Sequence, residues 1–188
     1  MAIKIYIDQG HNPQNPNAGA EGNGFREQDL TFEVGLLLAD FLNANPNFEA
    51  RVSRPTPETV LGTSNVTSLR ARVDDANSWG ADYFISLHMN AAESPLSNGA
   101  EAFVYSQDSP AYALAGDILR WIGYDTGISS RGVFLRPSLY VLRKTLMPAL
   151  LLEMGFITNA SDANFVATYP EMMAEAIYNG ILNYFGTL

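Results

Sequence analysis

Cysteine is absent from the 188-residue sequence. Its absence removes disulfides, thiol nucleophiles, iron–sulfur clusters and Cys-ligated zinc. It leaves the redox compartment open, because a thiol-free chain suits either side of a membrane. Basic residues are scarce: 11 Lys and Arg stand against 20 Asp and Glu, for a net charge of −9. Nucleic acid and anionic lipid recruit proteins through basic patches, so neither is an expected partner. Long apolar runs are missing as well. The stretch from Ala149 to Leu152 is strand-sized and far below a membrane span, so no membrane insertion is expected. Met1 leads directly into Ala2-Ile3-Lys4-Ile5-Tyr6-Ile7-Asp8, too short and too alternating for the apolar region of a signal peptide. If such a protein works outside a cell, it is expected to leave by another route, by phage-type release, or as a trimmed chain. Histidine is limited to two residues.

What is present is globular. Apolar residues make up 47% of the chain and aromatics 11%, unlike a disordered sequence. At roughly 100–200 residues per domain, this length is one domain, residues 1–188, with no linker or repeat inside it. Nothing specifies an oligomeric state. Strand and helix patterns alternate along the chain. Ile3, Ile5 and Ile7 predict a first strand, ended by Gly10 and an Asn/Pro/Gly-rich loop from Asn12 to Gly24. Leu30, Val34, Leu37, Leu38 and Phe41 then fall on one helical stripe. Phe48 to Val52 reads as a strand, Ser68 to Trp79 as a helix, and Tyr83 to Leu87 as a buried strand. Ala102 to Tyr105 is expected to be a more exposed strand because it alternates. Ala111 to Ile122 reads as helix, and Ala149 to Leu152 as the most apolar strand. A last helix starts at Pro170, where proline suits the first helical position. Repeated β–α units predict the α/β class, with a mostly parallel sheet and helices on both faces.

The chemistry-bearing residues cluster at strand ends. His11 follows the first strand directly, and His88 ends the buried one. In open α/β sheets, ligand crevices lie at the carboxyl ends of strands. Taken singly, each would be an ordinary, partly buried histidine. The chain's whole imidazole complement in two equivalent positions points instead to a metal pair. Glu27 lies on the apolar stripe of the first helix and in its first turn, where the dipole favours negative charge. Complementing the dipole is the competing reading for Glu27. Glu153 ends the most apolar strand, where an ionised carboxylate is costly unless paired. Arg72 or Arg143 could supply such a partner. Two His, one Glu and an open fourth position form the pattern of catalytic zinc. A further carboxylate beside the metal, here Glu153, would serve as general base and then acid. That is a consistent site for amide hydrolysis.

These residues sit in blocks that resemble the zinc-dependent N-acetylmuramoyl-L-alanine amidases of the Amidase_3 type. The blocks include Ile7-Asp8-Gln9-Gly10-His11, Leu69-Arg70-Ala71-Arg72 and Ala81 through Ala91, which contains Ser86-Leu87-His88-Met89-Asn90. Gly99-Ala100-Glu101, Arg131-Gly132, Leu139 through Arg143 and Leu152 through Asn159 follow in family order. The resemblance implies a twisted sheet of about six strands and zinc held by His11, Glu27 and His88. It assigns acid/base catalysis to Glu153 and cleavage of the amide between N-acetylmuramic acid and L-alanine in peptidoglycan. It thus implies an autolysin or phage-type lytic enzyme acting at the bacterial cell wall. The chain shows no separate wall-binding repeat. Asn12-Pro13-Gln14-Asn15-Pro16-Asn17 departs from the Gly-Gly and acidic residue usual after the first histidine, so the loop beside the metal is expected to be reshaped.

Supporting residues are open. Asn90 could face substrate or close a turn. Glu101 is either beside the site or simply cross-strand paired, and Arg72 is expected in a buried structural ion pair. Arg131, Arg136 and Arg143 are candidates to hold a peptide-stem carboxylate, which guanidinium binds bidentately. Two other functions remain: a zinc carboxypeptidase or other zinc amidohydrolase, and a metal-independent wall-binding module. A binding module would need none of His11, Glu27, His88 and Glu153.

Overall fold

In the computed structural model, which describes residues 2–187, the alternating residues of Ile3–Gln9 form β1 inside a six-stranded sheet. A small antiparallel hairpin follows, β2 (Glu21–Gly22) with β3 (Phe25–Arg26), and runs into α1 (Glu27–Ala44). The remaining elements are β4 (Phe48–Val52), α2 (Asn65–Trp79), β5 (Tyr83–Asn90), β6 (Ala100–Val104), α3 (Pro110–Thr126), β7 (Ser130–Leu135), α4 (Tyr140–Lys144), β8 (Ala149–Phe156), α5 (Ala160–Thr168) and α6 (Pro170–Phe185). Strand order is β4-β1-β5-β8-β6-β7. The first four lie parallel, whereas β6 runs antiparallel to β8 and β7 follows β6. The fold is therefore α/β with a mostly parallel sheet.

The period of two along each strand sorts residues onto two unequal faces. Ile5, Ile7, Ile85, Leu87, Leu150, Leu152, Ala102 and Val104 pack beneath α1, α3 and α6 in the larger core. On α1 the spacing Leu30, Val34, Leu38, Leu42 buries one stripe completely enough that each leucine contributes roughly 1.5–3 kcal/mol. The opposite face carries Tyr6, Phe84, Leu151 and Phe103, packed against Val73 and Ala76 of α2 and Val141 and Leu142 of α4. One more step along β1, β5 and β8 on that second face come Asp8, Ser86 and Glu153. The smaller helical layer is what leaves room for a site.

Several expectations need correction. Ala102 to Tyr105 is not an exposed strand: β6 lies between β8 and β7, and Ala100, Ala102 and Val104 are buried. Its alternation reflects two covered faces. Neither His88 nor Glu153 ends its strand, because β5 continues to Asn90 and β8 to Phe156. The ladder between them shifts register after His88, which turns the ends of both strands without ending them. α2 starts at Asn65, ahead of Ser68, because the Ser64 hydroxyl accepts the Thr67 N–H while the Thr67 hydroxyl accepts the Ser64 N–H. β7, the small β2–β3 hairpin whose first strand lies inside the expected Asn12–Gly24 loop, and the short helices α4 and α5 add elements that the periodicity does not announce.

Candidate metal centre and catalytic carboxylate

His11 is placed by a bend and not by a regular element. β1 ends at Gln9; Gly10 N–H donates to Leu87 O at 3.0 Å, and His11 adopts φ 69°. That left-handed conformation is unfavourable for a residue with a Cβ and persists only where the surroundings enforce it. Arg72 does so, donating from Nη2 to His11 O at 2.5 Å, while Thr31 Oγ1 donates to Gly10 O at 2.8 Å. Glu27 opens α1 and is 4% exposed. Its Oε2 accepts the Ala20 N–H at 2.9 Å and its Oε1 the Met89 N–H at 3.0 Å, so both oxygens are fixed from the backbone. His88 extends from β5 across the end of β1.

The three side chains converge. Glu27 Oε1 lies 2.9 Å from His88 Nδ1 and 3.1 Å from His11 Nε2. One ligand atom from each residue falls within 4.8 Å of the other two. Burial alone would push the Glu27 carboxyl up, but its bonds to His11 and His88 more than reverse this and hold it well below the usual range. Gly10 creates the space. A Cβ built there would lie 2.6 Å from His88 Cε1 and 2.5 Å from Leu87 O, closer than real contacts allow. Gly10→Ala is therefore expected to displace the imidazole and weaken metal affinity by on the order of 10–100-fold. Chelator competition measures this; unchanged affinity would show that the ring tolerates the added carbon.

Glu153 stands next to this cluster. It is the register partner of His88 on one side and of Glu101 on the other, so all three share a face. Glu153 Oε2 is buried and has no hydrogen-bond partner among the described residues. Burial, followed by the charges of Glu27 and Glu101, pushes its carboxyl well above the ordinary value. Glu101 is itself occupied: Oε1 accepts from Asn90 Nδ2 at 2.7 Å and Oε2 from Arg131 Nε at 2.8 Å. The donor set suits a divalent cation of the zinc type. Two imidazoles and one carboxylate meet from the bend after β1, from α1 and from β5, and an unsatisfied carboxylate oxygen lies alongside.

Of the residues singled out from sequence, His11, Glu27 and His88 are brought together, with Glu153 beside them. Asn90 and Arg131 reach the same rim through Glu101. Arg143 does not. It is exposed on α4 and lines a cavity with Tyr105 and Ala149, at the opposite end of β8 from Glu153. At about 3.3 Å per residue, four residues of strand separate the two ends by roughly 13 Å. Arg136 also belongs to that far end, with its guanidinium over Phe103. Arg72 pairs with Asp8 at 2.6 Å and not with Glu153. Asp8 is the buried carboxylate that Arg72, on an inward helical stripe, requires opposite it. Asn12 holds the loop that follows His11. It is fully buried, donating to Pro16 O at 2.7 Å and Leu61 O at 3.0 Å while accepting the Leu61 N–H.

Fold and site together define an α/β protein with a two-histidine, one-glutamate metal-type cluster and a free carboxylate in register beside it. The chain belongs to the N-acetylmuramoyl-L-alanine amidase family, whose model matches residues 5–183. It is 36% identical over 187 residues to the N-acetylmuramoyl-L-alanine amidase LytC of Bacillus subtilis, covering 96% of this chain and 35% of that protein. Identity to the amidase CwlM of Bacillus licheniformis is 34% over 192 residues, covering 97% of this chain and 69% of that one. The solved amidase AmiC2 of Nostoc punctiforme superposes with a TM-score of 0.84 at 33% identity, covering 98% of this chain and 97% of the other. The chain thus spans about a third of the length of LytC and about two thirds of CwlM.

Proposed function

We propose that this chain is a catalytic unit that hydrolyses the amide between N-acetylmuramic acid and L-alanine in peptidoglycan, at the bacterial cell wall. The observation that carries the reading is the buried, unpartnered Glu153 carboxylate in register beside His88. His11, Glu27 and His88 are the residues that would hold zinc. Bound there, zinc supplies Lewis-acid polarisation of the carbonyl and lowers the pKa of water toward neutrality. Glu153 takes a proton from the attacking water and returns it to the leaving L-alanine nitrogen. Its poor solvation suits this work, because burial raises its affinity for the proton it must take up and hand on. The Met89 and Ala20 N–H groups hold Glu27 so that its carboxylate does not rotate during turnover. No described helix is long and apolar enough to cross a membrane.

Digestion of purified cell walls, followed by mass spectrometry, tests the reaction. Stems released with a free L-alanine amine are expected. Loss of a terminal D-alanine would transfer the site to a carboxypeptidase, and no release by zinc-supplemented protein would overturn hydrolysis altogether. Metal removal gives a separate expectation. Chelation should abolish release, and zinc in hundredfold excess over its dissociation constant should stabilise the fold by about 2.7 kcal/mol. A melting temperature that does not respond to zinc would count against His11, Glu27 and His88 as ligands.

A further inference from the structure

Given the amidase reading, substrate lies across a row of register partners: His88 on β5, Glu153 on β8, Glu101 on β6 and Gly132 on β7. The row is chemically lopsided. Three carboxylates, Glu27, Glu153 and Glu101, crowd its middle, and an anionic group of the substrate needs a cation to settle near them. Arg131 is a cation at the end of this row, paired with Glu101. The β6–β7 ladder pairs Ala100 with Ser130 but Glu101 with Gly132, so Arg131 is the extra residue of a bulge. Bulges beside active sites re-aim side chains.

Two consequences are visible. Gly132, at φ 107°, stands opposite Glu101 with no side chain, and nothing lies within 4 Å of where a Cβ would be. An open notch therefore ends the row. Arg131 borders that notch and is held in place: Nε donates to Glu101 at 2.8 Å, Nη1 to Asn98 O at 3.1 Å, and the guanidinium lies 5.1 Å from the Phe156 ring centre. Its Nη2 has no hydrogen-bond partner among the described residues. Arg26, also outside the far-end group, is used differently, with Nε and Nη2 both bound to Asp29 at 2.7 and 2.9 Å.

We infer that Arg131 receives a free carboxylate on the peptide side of the scissile amide. The peptide stem then runs over the β6–β7 side, and the enzyme prefers stems whose residue after L-alanine carries a carboxylate to stems in which that group is amidated. A guanidinium edge fixed in advance binds carboxylate by charge-assisted hydrogen bonds. An amide in the same place loses the charge, keeps one acceptor oxygen, and on its nitrogen side turns N–H donors toward N–H donors, which is a penalty against the wrong substrate.

The test uses zinc-supplemented protein and two synthetic muramyl tripeptides, one with D-isoglutamate and one with D-isoglutamine after L-alanine. A kcat/KM at least about tenfold higher for the carboxylate form is expected. Arg131→Gln should bring the ratio near one by slowing that form alone. Calorimetric binding of the two stem peptides to Glu153→Gln protein should show the same preference, and its loss when Arg131→Gln is added. Equal handling of both forms by the unmodified protein overturns the inference. So does an equal loss on both in Arg131→Gln, which would mean that Arg131 only steadies Glu101. If neither tripeptide is cleaved, the amidase reading fails, and the binding ratio still decides the role of Arg131.

Discussion

Glu153→Gln is expected to slow amide hydrolysis by on the order of 10²–10⁴-fold while leaving metal binding intact. The substitution keeps the shape of the side chain but removes the group that gains and loses a proton. Its effect on stability should have the opposite sign to its effect on activity. Burial and the neighbouring charges of Glu27 and Glu101 raise the Glu153 pKa in the folded protein. The folded state therefore holds that proton more tightly than the unfolded chain does. Stability associated with Glu153 is present below the unfolded carboxyl value and declines as pH rises toward the raised folded one. A neutral glutamine avoids that decline, so the chelated variant should unfold no more easily than the chelated parent at neutral pH. Wall-digestion rates and melting temperatures of the two proteins, measured side by side, check both halves. Activity within about tenfold of the parent would remove Glu153 from proton transfer. A marked drop in melting temperature would recast it as a structural group.

How far the sequence could be read depends on which interactions are local. The period of two in Ile3–Gln9 and the stripe from Leu30 to Leu38 are short-range patterns, and they correctly give β1 and α1. His11 just past β1 and His88 near the carboxyl end of β5 do meet at one edge, although β5 runs on to Asn90. Burial on an otherwise apolar stripe was enough for Glu27. The direction of β6 is a different matter. Nothing within Ala100–Val104 tells whether it enters the sheet parallel or antiparallel, and that direction decides that Glu101, near its start, meets Glu153. The same reversal carries Tyr105 and Arg136 away from the site, and the position of Arg143 ahead of β8 puts it at the far end too. Arg131 could not be separated from Arg136 and Arg143 without that topology. Arg54 shows a second limit. It is 1% exposed, donates to Gln28 O at 2.6 Å, and burial together with the nearby Arg72 charge pushes its pKa down to about 10. An arginine after a strand reads as surface, and only the packing of α1 over it makes it interior. The Asn12–Asn17 loop was expected to be reshaped, and Asn12 is how it holds: its side chain closes the loop onto Leu61, as a backbone amide would.

Arg72→Met should destabilise the fold by about 3–5 kcal/mol, because it leaves a buried carboxylate without its partner. Arg72 is 1% exposed, as is Asp8. Its Nη1 donates to Asp8 Oδ1 and to Gln9 O, each at 2.6 Å, and its Nη2 to His11 O at 2.5 Å. Burial by itself would raise the Asp8 pKa, but the charge and hydrogen bond of Arg72, then the Ser86 hydroxyl, outweigh it and hold Asp8 below its ordinary value. That sign fixes the pH dependence. With its folded pKa below the unfolded one, Asp8 contributes stability above the unfolded carboxyl value, and this is lost as pH falls through the folded one. The gap between parent and Arg72→Met should therefore be wider at neutral pH than at about pH 4, narrowing first as the unpartnered, buried Asp8 takes up a proton in the variant and then as the parent's Asp8 is protonated through its lowered folded value. Denaturant titrations at the two pH values measure it. Adding Asp8→Asn to Arg72→Met should recover part of the loss, since the stranded charge is then gone. The contact to His11 O should not be recovered, because no other described side chain donates to that carbonyl while His11 holds φ 69°. The double variant is thus expected to regain stability without regaining metal affinity. If both return together, Arg72 acts on the fold alone, and the bend at His11 needs no guanidinium to hold it.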